Sequence, residues 1–209
     1  MRALRLAAAT LALAFMATGC ARVLDTQVSS ISDLPEGRLG GATVSIIGAN
    51  DDIAESLLFR KARSRIAAEF RARGMIVVPN GSEPRYVAVA DYRMDEGETT
   101  VNQMSQPVFG IIGYTRVKRG GRVSLVPHYG VIGYEWIPIE VTTFGSALMV
   151  YIHDTTRQKP DWRVYEGRVT ARGRCGRLDV VLDDMITALF EKFPDESGRV
   201  RVKSELKCD

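Results

Sequence analysis

Apolar and polar positions recur along this chain with the two periods of regular structure. "ATVSIIG" (Ala42 to Gly48) is an apolar run of strand length, and "ANDD" turns the chain after it. Asp52 with Glu55 forms a capping-box pattern that opens a helix reaching about Arg73. Leu58, Ala62, Ile66 and Phe70 recur every fourth residue there and make one apolar stripe. Gly74 is the natural residue just past its end. Met75 to Pro79 reads as a short strand, and Tyr86 to Tyr92 alternates as another.

The C-terminal part is as regular. "ALMVYIHDTT" (Ala147 to Thr156) and "WRVYEGRVTARG" (Trp162 to Gly173) read as a hairpin joined by "RQKPD". Leu178 opens a second helix with Val181, Met185, Leu189 and Phe193 on one face, stopped by Pro194. "RVRVKSEL" (Arg199 to Leu206) alternates as a half-exposed last strand. Two amphipathic helices need a sheet face to cover. The pattern therefore predicts an α+β fold: a mixed, mostly antiparallel sheet, both helices on one face, and a β-rich insertion at 101–145.

The insertion contains a repeat. "PVFGIIGYTRV" (Pro107 to Val117) and "PHYGVIGYEWI" (Pro127 to Ile137) share the pattern P-x-[FY]-G-[IV]-I-G-Y-x-x-[VI]. "KRGGR" (Lys118 to Arg122) lies between them as a basic turn. Strict alternation puts Gly110, Ile112 and Tyr114 on one face and Phe109, Ile111 and Gly113 on the other. Glycines weaken a strand unless another surface comes close. Two readings follow. In one, Phe109, Tyr114, Tyr129, Tyr134 and Trp136 form a contact surface, with Arg116, Lys118, Arg119 and Arg122 placed to meet phosphates. In the other, the insertion is a duplicated hairpin that completes the sheet and buries its aromatics.

The N-terminus changes where this fold is expected. Arg2 and Arg5 precede an apolar segment, Leu6 to Met16, that is too short to span a bilayer. Residues 1–19 read as a secretory leader, and Ala17-Thr18-Gly19-Cys20 resembles the lipobox of bacterial lipoproteins. That resemblance implies cleavage after Gly19 and covalent lipid on Cys20; the other reading is a plain leader followed by a chance cysteine. Ala21 rather than aspartate after the cysteine favours, by analogy with enteric bacteria, the outer membrane, with the domain in the periplasm. Residues 20–41 read as a lipidated tether and 42–209 as a single domain; the alternative is that part of 20–41 forms a first edge strand.

Processing also alters charge and cysteine count. Discarding Arg2 and Arg5 takes the 28 basic residues to 26 against 25 acidic ones, so no global field for nucleic acid remains. With Cys20 lipidated, Cys175 and Cys208 are left as a candidate disulfide in an oxidising compartment, the alternative being two free thiols.

The chain resembles a family of small bacterial lipoproteins catalogued only as a domain of unknown function. The resemblance covers about residues 42 to 205. It rests on "FRARGM" followed by "YVAVADYRM", on "ALMVYIHDTTRQKPDWRVYEG", and on the closing helix and strand. It implies an envelope location and an α/β fold, and it brings no activity.

Catalytic patterns are missing from the sequence. His128 and His153 belong to no HExxH motif, and there is no CxxC, GxSxG or GxxxxGK[ST]. His153-Asp154 reads as a strand end entering a turn, and Asp183-Asp184 as a solvated helix face. The expectation is a non-enzymatic binding or structural module of the cell envelope without metal or cofactor. It is held by lipid and meets another envelope protein or lipopolysaccharide. The alternative is a lipid- or lipopolysaccharide-handling lipoprotein using residues 107–137.

Overall fold

The computed structural model describes residues 22–35, 39–194, 196–204 and 208. Cys20 and the lipobox lie outside them. The described chain forms two compact units, one running up to Gly97 and resuming at Phe144, the other Glu98–Thr143.

The first unit is an α+β fold on a mixed sheet. Its strands begin with β1 (Arg22–Ser32) and β2 (Thr43–Gly48). Helices α1 (Asp51–Glu55) and α2 (Leu57–Ala72) lead to β3 (Ile76–Val77) and β4 (Tyr86–Met94). β5 (Glu98–Arg119) and most of β6 (Arg122–Asp154) belong to the second unit, and β6 re-enters the first at Phe144. β7 (Arg163–Gly173), α3 (Leu178–Lys192) and β8 (Gly198–Ser204) complete the chain. The sheet order is β3-β2-β4-β6-β7-β1-β8, with β2 parallel to β3 and β4 and the remaining pairs antiparallel.

Residues 22–32 correct the expected tether: they form β1, held between β7 and β8 rather than at an edge. The reason lies in its inward positions. Leu24, Thr26, Val28 and Ser30 are buried in alternation with exposed Asp25, Gln27 and Ser29. Two of those inward residues are hydroxylic, which masks the apolar period. Their hydroxyls are satisfied: Thr26 donates to the Val200 carbonyl at 3.0 Å and Ser30 to the Glu196 carbonyl at 2.7 Å.

The expected long first helix is two helices. Asn50 caps α1, accepting from Ile53 N–H at 2.9 Å, and Ser56 caps α2, accepting from Phe59 N–H at 3.0 Å. Ser56 has extended backbone (φ −68°, ψ 147°), which breaks the helix where periodicity alone continues it. α2 buries Phe59, Ala62, Ile66, Ala67 and Phe70, and Gly74 follows it at φ +80° as its position required. α2 and α3 pack against each other and against the sheet. Phe70 meets Phe190 edge-on at 5.2 Å, and the Arg73 guanidinium lies 4.9 Å over the Phe190 ring. Cys175 and Cys208 lie at disulfide distance, their Cα atoms 5.5 Å apart, beside the end of β8.

The inserted unit is a two-stranded antiparallel ribbon. Its bounds are 98–143, slightly offset from the expected 101–145. Gly120 and Gly121 close it at φ +57° and +81°, the two consecutive left-handed residues that a two-residue hairpin turn needs.

Candidate functional site

The repeat explains the ribbon's geometry. Pairs Phe109–Val131, Gly110–Gly130 and Ile111–Tyr129 set the first copy against the second in reverse order. A quasi-twofold axis therefore passes between Gly110 and Gly130. The register shifts on either side of it, leaving Ile132 unpaired on β6 and Ile112 unpaired on β5. These are β-bulges at equivalent points of the two copies.

The bulged isoleucines lie close over the glycines. A Cβ on Gly110 would stand 2.5 Å from Ile132 Cδ1, and one on Gly130 would stand 2.7 Å from Ile112 Cδ1. Each isoleucine lies over the glycine of the opposite copy, which answers why glycine recurs there.

The bulges also regroup the side chains, and this corrects the alternation given above. One extra residue on each strand moves everything beyond it to the other face. Tyr114 thus shares a face with Phe109 and Ile111, not with Gly110. Cross-strand partners lie on one face of a ribbon, so Tyr129, Tyr134 and Trp136 join them through the pairs Ile111–Tyr129, Pro107–Tyr134 and Ser105–Trp136. All five predicted aromatics share one face. The five are 60–70% exposed, Tyr114 least and Tyr129 most, so they are not the buried aromatics that the duplicated-hairpin reading expects.

The opposite face differs. Over the same span it carries Gln106 with Glu135, Gly113 with His128, and Val108 with Gly133 around the central glycine pair. Thr115 and His128 hydrogen-bond to each other on it. The four predicted basic residues cluster toward the tip. Arg116 and Lys118 continue the aromatic face beyond Tyr114, and Arg119 and Arg122 face each other across the strands just before the turn. All four are exposed.

The prolines define the ribbon's edges. Proline has no N–H and fits a ladder only where its nitrogen points away from the partner strand. Pro107, Pro127 and Pro138 all fall in pairs on the aromatic face, so each aims its nitrogen at an outer edge. Both long edges are free of strand partners among the described residues, because β5 pairs only with β6.

In the first unit, the histidine–aspartate pair is structural. Asp154 is buried, and its Oδ1 accepts from Thr156 N–H at 3.0 Å and Thr156 Oγ1 at 2.6 Å, a turn-forming arrangement. Burial pushes its pKa up, but the Thr156 hydrogen bonds and the Arg85 charge outweigh burial and hold it below the ordinary value. His153 stacks on Trp162 at 4.0 Å. Its burial, then the charges of Arg163 and Lys159, lower its pKa and favour the neutral ring. Asp183 pairs with Lys61 at 2.8 Å across the two helices, and Asp184 is buried. The expected solvated face therefore does not extend to Asp184, which helix periodicity turns toward the core. Among the described residues no group of His, Cys, Asp and Glu is placed to hold a metal, and no helix is long and apolar enough to cross a membrane.

No family model and no curated protein matches this chain. Among solved structures it is similar to a PDZ domain protein from Parabacteroides distasonis, at 13% identity and a TM-score of 0.46. The alignment covers 91% of this chain and 41% of that one, so this chain spans less than half of that protein's length. It is also similar to PelC from Paraburkholderia phytofirmans, solved as a dodecamer in two crystal forms. There the identities are 14% and 13% and the TM-scores 0.40 and 0.39, over 78% of this chain and 93% and 94% of that one. At these identities the likeness assigns no ligand or partner to this chain.

Proposed function

We propose that this protein is a non-enzymatic module of the bacterial cell envelope that meets another envelope component through the aromatic face of its ribbon. Lipid on Cys20 would hold it at the membrane, with the outer membrane as the site. Because β1 begins at Arg22, only two residue steps separate that lipid from the sheet, a reach of about 7 Å instead of a long leash. The observation that carries the reading is the gathering of five exposed aromatics on one face by two bulges. Rigid aromatic area of this kind is enriched in interface centres.

Photo-crosslinkers at Tyr114 and Tyr134 in living cells test it. A discrete protein or lipid adduct from both positions, absent from Gln106 on the other face, is the expected result. No adduct from either aromatic position would sink the reading. The lipid attachment is checked separately by the intact mass of the mature chain, which should show acylated Cys20 at the N-terminus.

The basic tip supports a second reading, lipid or lipopolysaccharide handling. Arg119 and Arg122 oppose each other directly, a like-charge pair that an anion would relieve. Changing Arg116, Lys118, Arg119 and Arg122 to Ser should lower the phospholipid or lipopolysaccharide that co-purifies; unchanged lipid content would remove this reading.

A further inference from the structure

Resting on the contact face proposed above, we infer that the ribbon crosses a lipid bilayer as two strands of a β-barrel completed by the ribbons of further copies of this chain. Three observations converge on the hydrocarbon layer as the occupant of the aromatic face.

The first is the length of the uncharged band. From Ser105–Trp136 to Tyr114–Pro127 the aromatic face carries no charged residue. This stretch is about ten residues on each strand, within the ~9–11 that a tilted membrane strand uses. At ~3.3 Å per residue and ~40° of tilt it rises about 25 Å, the height of an outward apolar band.

The second is the order of residue types along the band. Trp136 and Tyr134 stand at one end and Tyr129 and Tyr114 toward the other, with Phe109, Val131 and Ile111 between them. Beyond Tyr114 come Arg116 and Lys118; beyond Trp136 come Gln103 and Glu140. Aromatic girdles at both interfaces with charge outside them are what a bilayer selects. A protein partner imposes no such symmetry about a fixed height.

The third is the contrast between faces. Over the same span the other face presents Gln106, Glu135, His128 and four glycines, with Val108, Ile112 and Ile132 as its aliphatic members. Apolar outward and small or polar inward is the alternation of a barrel wall.

The edges dictate the remainder. Open sheet edges do not occur in hydrocarbon, because each bare N–H or C=O there costs several kcal/mol. A ribbon with two unpartnered edges cannot cross alone. The same chain supplies matching strands, and edge-to-edge repetition around a ring closes both edges, the positions facing Pro107, Pro127 and Pro138 excepted. Pro107, Pro127 and Pro138 withhold donors on those edges, which discourages edge-to-edge pairing in water.

The test uses the full chain, extracted in detergent and reconstituted into phosphatidylcholine–phosphatidylglycerol vesicles whose acyl chains carry bromine at shallow or deep positions. Trp162→Phe leaves Trp136 as the one tryptophan reporter. Trp162→Phe with Trp136→Phe and Phe109→Trp moves the reporter to mid-band. A third reporter replaces Gln106 with Trp in the same tryptophan-free background. Crossing predicts that position 109 is quenched most by deep bromines and position 136 most by shallow ones. Position 106 should be quenched by aqueous iodide instead. Chemical crosslinking in the vesicles should give multiples of the chain. Ile111→Arg should lower vesicle partitioning by about thirtyfold or more, while Gln106→Lys at similar depth on the other face leaves it nearly unchanged. An unchanged melting temperature of the first unit in each variant shows that folding is intact. Shallow-only quenching at position 109, no quenching, or a single-copy species in the vesicles each overturns the crossing. If quenching fails while Tyr114 and Tyr134 still crosslink to a discrete protein, the crossing is lost and the contact face stands; if both fail, both are lost.

Discussion

Gly167 sits where β7 passes under α3, and its missing side chain is a packing requirement. A Cβ there would fall on the Tyr165 hydroxyl and 2.8 Å from Leu189 Cδ1, both fully buried. Neither neighbour can retreat from a filled core, so Gly167→Ala should cost about 1–3 kcal/mol in chemical unfolding. Gly40→Ala, whose Cβ meets nothing within 4 Å, should stay within ~0.5 kcal/mol of wild type. Equal stability of the two variants would contradict this account of the core. Asp154 and His153 make a second residue-scale case. The folded Asp154 carboxyl titrates below its ordinary 3.8, so its charged form stabilises the fold. That contribution is complete above the unfolded value and fades as pH falls through the lower folded one. His153 is also depressed, from 6.5, so its share is present above 6.5 and is lost as pH falls below it. Asp154→Asn should therefore lower the melting temperature at pH 7, and its gap to wild type should narrow below about pH 4. A gap that stays constant from pH 7 to pH 3 would show that the carboxylate charge contributes nothing.

Elements were legible to unequal depth. The stripe of α2 and the alternation of β4 and β7 follow from apolar period, because each buries a continuous row of aliphatic or aromatic side chains. β1 was hidden because Thr26 and Ser30 take inward positions and are satisfied by carbonyls more than 160 residues away in sequence. The aromatic face was half legible. Its residues, repeat and turn are local patterns, but the bulges at Ile112 and Ile132 appear only once the strands are paired. A single skipped pairing reverses the face of Tyr114, and no composition signal marks the skip other than the glycines beside it. The cysteine pair closes a loop with a sequence separation of 33 across α3 and β8. In the chain-entropy model a closure of this length contributes about 3–4 kcal/mol. Cys175→Ser with Cys208→Ser should lose about that much in chemical unfolding. A stability change below ~0.5 kcal/mol would indicate that the two thiols do not bridge in the protein.

At the scale of the molecule, the division into two units assigns stability to one part and contact to the other. The first unit holds the buried core, including Val28, Ile46, Phe70, Leu148, Tyr165 and Leu189, while no residue from Glu98 to Thr143 is buried. The chain leaves and re-enters the first unit through its own clasp. Asp95 N–H donates to the Gly145 carbonyl at 3.0 Å, and Asp95 Oδ1 accepts from Gly145 N–H at 2.9 Å and Gly97 N–H at 3.0 Å. A Cβ on Gly145 would stand 2.6 Å from Asp95 Oδ2, so the carboxylate closes tightly over this glycine. None of these bonds involves residues 98–143. Replacing 98–143 by a two-residue Asn-Gly turn therefore preserves the clasp and removes no buried residue. The shortened protein should unfold cooperatively, with a free energy within about 1 kcal/mol of the full chain, and should be more soluble, because the large exposed apolar ribbon is gone. It should also lose every adduct formed through Tyr114 and Tyr134. Retained solubility defects with an intact fold would place the sticky surface on the first unit instead. A non-cooperative transition would mean that the ribbon supports the sheet after all, and that its aromatic face has a structural role as well as a contact one.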